Sequence, residues 1–110
     1  KKAGAPWDAA KGFDNSAPIG ALTPTEICGH KHAGRIWLSV NGVKKQGSDL
    51  SSMIWGAAEI IAFLSRSWEL KRGDLIFTGT PAGVGPLQVG DAVECGVDGL
   101  APLRFSIAAQ

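Results

Sequence analysis

Two cysteines in 110 residues are too few to staple a fold. Cys28 and Cys95 exclude a disulfide framework, and a reducing, cytoplasmic compartment is the default for such a chain. An excess of either charge is also missing: 11 Lys and Arg face 10 Asp and Glu, for a net charge of +1. The basic residues are scattered rather than striped, so nucleic acid has no electrostatic footprint to meet. Long apolar runs are absent too. The longest, MIWGAAEIIAFL (residues 53–64), carries Glu59 and falls short of the roughly 20 residues a membrane helix needs. No signal-peptide pattern is visible. The opening KKAGAPWDAAKGFD has no initiator Met and no clear helix or strand start, and is expected to belong to the interior of a longer protein.

What remains is a composition of 45% hydrophobic and 19% charged residues, enough for one domain with a modest core. Residues 1–24 read as loop, broken by Pro6, Pro18 and Pro24. GRIWLSV (34–40) alternates into a strand, and Asn41-Gly42 turns a hairpin because both central positions of a type I′ turn need positive φ. VKKQ is its short return strand. In SDLSSMIWGAAEIIAFLSRSW, Ile54, Ala57, Ile61, Leu64 and Trp68 recur at three and four, which predicts a helix capped by Ser48 or Asp49 and leaving through Lys71, Arg72 and Gly73. A strand at 74–78 follows. Asp98-Gly99 then turns a second hairpin, Ala92–Val97 against Pro102–Ile107. Four or more strands with one main helix make a β-rich α+β unit.

GDLIFTGTPAGVGPLQVGD (73–91) holds five glycines and two prolines, which suggests a phosphate cradle. No lysine follows Gly83 or Gly85, so it is not a P-loop. Position 88 is Gln88 where a dinucleotide fingerprint wants glycine, and no helix pattern follows. The turn leads back into a strand, so its glycines let the backbone curl close to something. Thr78 stands at the strand's end, where a hydroxyl can donate to a small carboxylate ligand.

These residues also carry a resemblance. GDLIFTGTPAGVGPLQVGD is similar to the C-terminal signature of the fumarylacetoacetate hydrolase family. PWDAAKGFDNSAPIGAL resembles that family's lysine-bearing segment, and LSVNGVKKQGSDLSSMIWGAAEIIAFLS its hairpin and helix. The likeness covers nearly the whole chain and leans toward the bacterial fumarylpyruvate hydrolases and acylpyruvases. It implies a mixed β-roll or sandwich-like fold, a homodimer, and cleavage of a carbon–carbon bond in a 2,4-dioxo acid, with Mg2+ or Mn2+ chelating the dioxo group. Residue by residue, Lys11 matches the family lysine beside Gly12 and Phe13, with its ammonium against the enolate or bound water. Thr78 matches the threonine on the substrate carboxylate, and Gly79 provides close backbone approach; Thr80 and Pro81 shape the turn. The family's metal carboxylates are a Glu-x-Glu pair and a later Asp, all upstream of the lysine segment, as is its His–Glu pair. None of the ten acids here stands two residues from another, so residues 1–110 are expected to form the C-terminal part of the catalytic domain, with the metal ligands upstream of residue 1.

Two other patterns compete for attention. Cys28, His30 and His32 could hint at zinc, but a structural site wants two spaced pairs of ligands and only distant Cys95 could complete the set. A polar loop is the better reading. Trp7, Trp37, Trp55 and Trp68 are assigned to core or subunit interface. Within the family, the rivals to acylpyruvate hydrolysis are isomerisation or decarboxylation of 5-carboxymethyl-2-hydroxymuconate and decarboxylation or tautomerisation of oxaloacetate. Outside it, the rival is a non-catalytic binding module, which an upstream sequence without Glu-x-Glu would favour.

Overall fold

A computed structural model describes residue 4 and residues 11–109. The expectation for Trp7 lies outside them. Among the described residues a short helix, α1 (Thr25–Cys28), leads into β1 (Arg35–Val40) and β2 (Val43–Asp49). A 3-10 turn (Leu50–Ser52) and helix α2 (Ala57–Leu64) follow, and the second hairpin is β3 (Ala92–Val97) and β4 (Leu103–Ser106). The four strands form one antiparallel sheet in the order β2-β1-β3-β4. The unit is α+β and strand-rich.

Both hairpins close where the turn dipeptides stand. Asn41 and Gly42 take φ of 50° and 79°, and Gly99 takes 82°. Asn41 does more than turn. Its backbone N–H donates to the Ala92 carbonyl at 2.8 Å, its side-chain oxygen accepts from Ala92 N–H at 2.9 Å, and its Nδ2 donates to Asp91 at 2.8 Å. The β1–β2 turn is thereby tied to the start of β3.

Asp91 accepts a further bond from the Gln88 N–H at 2.8 Å. That bond first, and the Asn41 amide second, hold its carboxyl below the usual aspartate range. A carboxylate with a lowered folded-state pKa contributes stability that is present above its unfolded pKa and lost as pH falls through the folded value. Asp91→Asn is therefore expected to lower the melting temperature at neutral pH and to flatten its further fall below about pH 4, as melting curves across that range would register.

The core is thin. Val93 on β3, 2% exposed, is the one described residue that is fully buried; it sits opposite Val40 on β1 and Phe105 on β4. Two expectations need correction. The helix does not run from Ser48 or Asp49. Asp49 caps the 3-10 turn instead, accepting from Ser51 N–H at 2.9 Å, and α2 begins only at Ala57, where the Gly56 N–H donates to Glu59 at 2.9 Å. Gly56 lacks a Cβ and favours a helix end over a helix interior, so the stripe breaks there and Ile54 is left 95% exposed. Nor do residues 74–78 form a strand. They lie beside no hydrogen-bonding edge among the described residues, and Leu75, Ile76 and Phe77 are 50%, 37% and 64% exposed. Strand pattern without a partner gives only extended chain.

The tryptophans divide accordingly. Trp37 is half-buried in β1, whereas Trp68, assigned to core or subunit interface, is exposed in this chain. Trp55 meets Phe63 edge to face, with ring centroids 5.1 Å apart.

Candidate active site

β2 alternates, so Gln46 and Ser48 share its half-buried face while Lys45 and Gly47 point away. The residues after β2 turn through the 3-10 segment toward Trp55, and the chain returns at Thr78. Between these walls opens a cleft of about 580 Å³, lined by Ser48, Asp49, Met53 and Trp55 on one side and by Thr78 to Pro81 on the other. Thr78 and Gly79, two of the four expected site residues, thus lie together on its wall. Thr78 is exposed and its hydroxyl makes no hydrogen bond among the described residues. Gly79 has φ of 96° and nothing within 4 Å of where a Cβ would stand. A donor and an unshielded stretch of backbone face open space there, as carboxylate binding requires.

Lys11 and Gly12 are exposed at the start of the continuous described segment and are not among the described residues lining the cleft. Between Lys11 and the sheet the chain is loop with a turn at Phe13–Ser16, and α1 adds a single helical turn.

Asp49 on the cleft wall and two carboxylates of the second hairpin are committed elsewhere. Asp49 accepts from Ser51 Oγ at 2.6 Å, from Ser51 N–H and from the Gly34 N–H at 3.3 Å; the Ser51 bonds hold its carboxyl below the ordinary range. Glu94 pairs with Arg104 at 2.8 Å, and Asp98 accepts from the Arg35 N–H at 3.1 Å. Among the described residues no group of three or more His, Cys, Asp or Glu side chains could hold a metal ion. They do not fit a divalent cation, and Cys28 turns its Sγ to backbone carbonyls, the Gly29 oxygen at 3.3 Å. Cys95 lies beside a smaller cavity of about 300 Å³ shared with Gly79 to Pro81. Burial, and then the Glu94 charge, push its thiol up, away from thiolate chemistry.

The sequence did not assign to the site Gln46, whose Nε2 reaches both Thr80 Oγ1 at 2.8 Å and the Pro81 carbonyl at 2.7 Å, and it offered Ser48 and Asp49 only as helix caps.

With this geometry the chain can be set against known proteins. A family described as fumarylacetoacetate (FAA) hydrolase C-terminal matches residues 1–108. The chain belongs to the fumarylacetoacetate hydrolase family. A fumarylpyruvate hydrolase from Pseudomonas aeruginosa, solved with Mn2+ and pyruvate, superposes with a TM-score of 0.93 at 43% identity, over 99% of this chain and 47% of that one. A candidate fumarylpyruvate hydrolase from Burkholderia cenocepacia gives a TM-score of 0.93 at 58% identity, over 99% and 49%. The mitochondrial oxaloacetate tautomerase FAHD1 of Mus musculus is 46% identical over 107 residues, which are 97% of this chain and 48% of that protein. The chain spans about half the length of these relatives. The Mn2+ in one of them supports divalent-metal use within the family. No helix among the described residues is long and apolar enough to cross a membrane.

Proposed function

We propose that this chain is the C-terminal part of an enzyme that hydrolyses a carbon–carbon bond in an acylpyruvate such as fumarylpyruvate, releasing pyruvate. The observation that carries it is the uncommitted Thr78 hydroxyl beside bare Gly79 backbone on the wall of a cleft large enough for a small dioxo acid. Similarity to a fumarylpyruvate hydrolase holding pyruvate supports the same reaction.

Thr78 donates its hydroxyl proton to the substrate carboxylate and orients the pyruvate end. Water adds through oxygen to the distal carbonyl carbon. The carbon–carbon bond then breaks, and its electron pair passes into the pyruvate fragment as an enolate. Protonation of the enolate carbon gives pyruvate, and the acyl fragment leaves as a carboxylic acid. Lys11 supplies an ammonium against the enolate oxygen, where the charge develops. The Mg2+ or Mn2+ of the intact enzyme is held by carboxylates outside the described residues, and an upstream Glu-x-Glu with a later Asp is the set to look for. Apolar side chains such as Ile54, Trp68 and Phe77, exposed in this chain, suit the remainder of the domain and a homodimer contact. Two free thiols suit a reducing compartment such as the cytoplasm.

A second reading, oxaloacetate tautomerisation, is favoured by the tautomerase relatives, among them YcgM of Escherichia coli strain K12 at 45% identity over 100 residues. Both reactions pass through an enolate of a 2-oxo acid. Steady-state assays on fumarylpyruvate, oxaloacetate and 5-carboxymethyl-2-hydroxymuconate separate them, and turnover of oxaloacetate alone would overturn the hydrolytic assignment.

Thr78→Val should raise KM about tenfold or more with the fold kept, since a hydrogen bond to a charged group contributes roughly 1.5–3 kcal/mol. Unchanged KM and kcat would remove Thr78 from the site.

A further inference from the structure

We propose that Gln46 is a positioning residue: it clamps the glycine turn to the sheet and thereby sets where Thr78 and Gly79 stand in the cleft. The proposal rests on the acylpyruvate reading above, which makes Thr78 a substrate contact.

Three independent features converge on one short stretch of β2. The first is the pair of bonds from Gln46 Nε2, at 2.8 Å to Thr80 Oγ1 and 2.7 Å to the Pro81 carbonyl. A side-chain amide nitrogen has two protons, and both are used here. The direction of these bonds is decided by chemistry, because a carbonyl oxygen cannot donate; the group facing Pro81 must be the NH2, and Thr80 must then accept from it.

The second is Gly83. Its φ is 103°, and a Cβ there would overlap the Lys45 carbonyl oxygen and crowd Gln46 Cγ at 3.2 Å. Bare backbone therefore lies directly on β2, beside the residue that makes the clamp.

The third is the ladder itself. Leu38 faces Gln46, but Ser39 faces Lys44, so Lys45 is the extra residue of a bulge with no partner on β1. A bulge bends its strand and re-aims the neighbouring side chain. Here the bulge falls where the glycine turn arrives.

No other tether does this work. Among the described residues, no backbone hydrogen bond and no other side-chain hydrogen bond joins residues 75–87 to the rest of the chain. Extended chain without a ladder has many conformations open to it, and two bonds at Thr80 and Pro81 remove most of that freedom two and three residues from the substrate contact. A misplacement of order 1 Å at a positioning group is enough to cost most of a site's effect.

The experiment uses the intact enzyme with Gln46→Leu, which keeps the bulk and removes both donors, and Gln46→Glu, which keeps the shape but presents only acceptors to the Pro81 carbonyl. Each should raise KM for the acylpyruvate about tenfold, the scale of one to two neutral hydrogen bonds. Amide hydrogen exchange across residues 78–83 should quicken in both. In a double-mutant cycle with Thr80→Val, the two losses should be markedly less than additive, because both break the same bond. A residue that only supports the fold would lower the melting temperature without these local signatures. KM and exchange at wild-type levels in either folded variant, or strict additivity with Thr80→Val, would overturn the proposal. A wild-type enzyme inactive on every acylpyruvate would instead sink the functional reading, and exchange at 78–83 would then decide the clamp by itself.

Discussion

Lys11→Met is expected to lower kcat of the intact enzyme by roughly 100- to 1000-fold, the scale seen when one preorganised donor to a developing oxyanion is removed. In the proposed substrate the negative charge sits on the carboxylate, the group assigned to Thr78 in the proposal above. In the transition state it grows on the oxygen of the departing enolate. An ammonium placed there gains interaction as the reaction proceeds, so its loss falls on kcat more than on KM. Methionine keeps much of the lysine stem's length and apolar character while deleting the charge. Lys11 is exposed, so the melting temperature should move little. Lys11→Arg should fail to restore the full rate, because a planar fork cannot replace a compact point charge. Steady-state kinetics at saturating divalent metal, with a melting curve for each variant, measures both effects. A Lys11→Met enzyme with normal kcat removes the enolate role.

Gly83→Ala should destabilise the intact enzyme by about 2–4 kcal/mol, in the range of a backbone-strain mutation compounded by a steric clash. Two costs add. At φ of 103° an L side chain is strained whatever the space around it. The new Cβ would also overlap the Lys45 carbonyl oxygen, which is backbone and cannot swing away as a side-chain tip could. Either the turn lifts from β2, breaking the Gln46 bonds, or the edge strand deforms. Two neighbours serve as controls. Gly79→Ala meets nothing within 4 Å and should show the backbone strain alone, and Gly85→Ala, with open space and no positive φ, should be nearly neutral in stability. Chemical denaturation of the three variants gives the ranking Gly83 > Gly79 > Gly85. Equal losses at all three would mean that close approach to β2 contributes nothing.

The fumarylacetoacetate hydrolase family was legible in the sequence because its motifs at the two ends are long and in order, and the family match over residues 1–108 bears that out. The two hairpins were legible for a more elementary reason. Asn41-Gly42 takes positive φ at both turn positions and sets the register of β1 with β2 as far as Ser39 and Lys44, while in the second hairpin Gly99 takes the positive φ. Thr78 and Gly79 were put forward from their neighbours in the chain, and the cleft wall they share is a feature of the fold.

What the sequence could not decide depends on groups far apart along it. DLIFT has the composition of a strand, but a strand is a relation between two segments, and no partner edge reaches Leu75 to Phe77 among the described residues. The helical stripe from Ile54 to Trp68 was real as spacing, yet the segment expected as one helix from Ser48 or Asp49 became a 3-10 turn capped by Asp49 and a shorter helix, Ala57–Leu64, beginning after Gly56. Gln46 was invisible altogether. Its partners lie 34 and 35 residues away, and nothing local distinguishes a glutamine that clamps a turn from one that faces water. Dihedral preferences are read within a few residues, so turns and caps can be derived from the chain alone. Hydrogen-bond partners across the sheet, the bulge at Lys45 and the cleft between β2 and Thr78 exist only once the tertiary fold has brought those segments together.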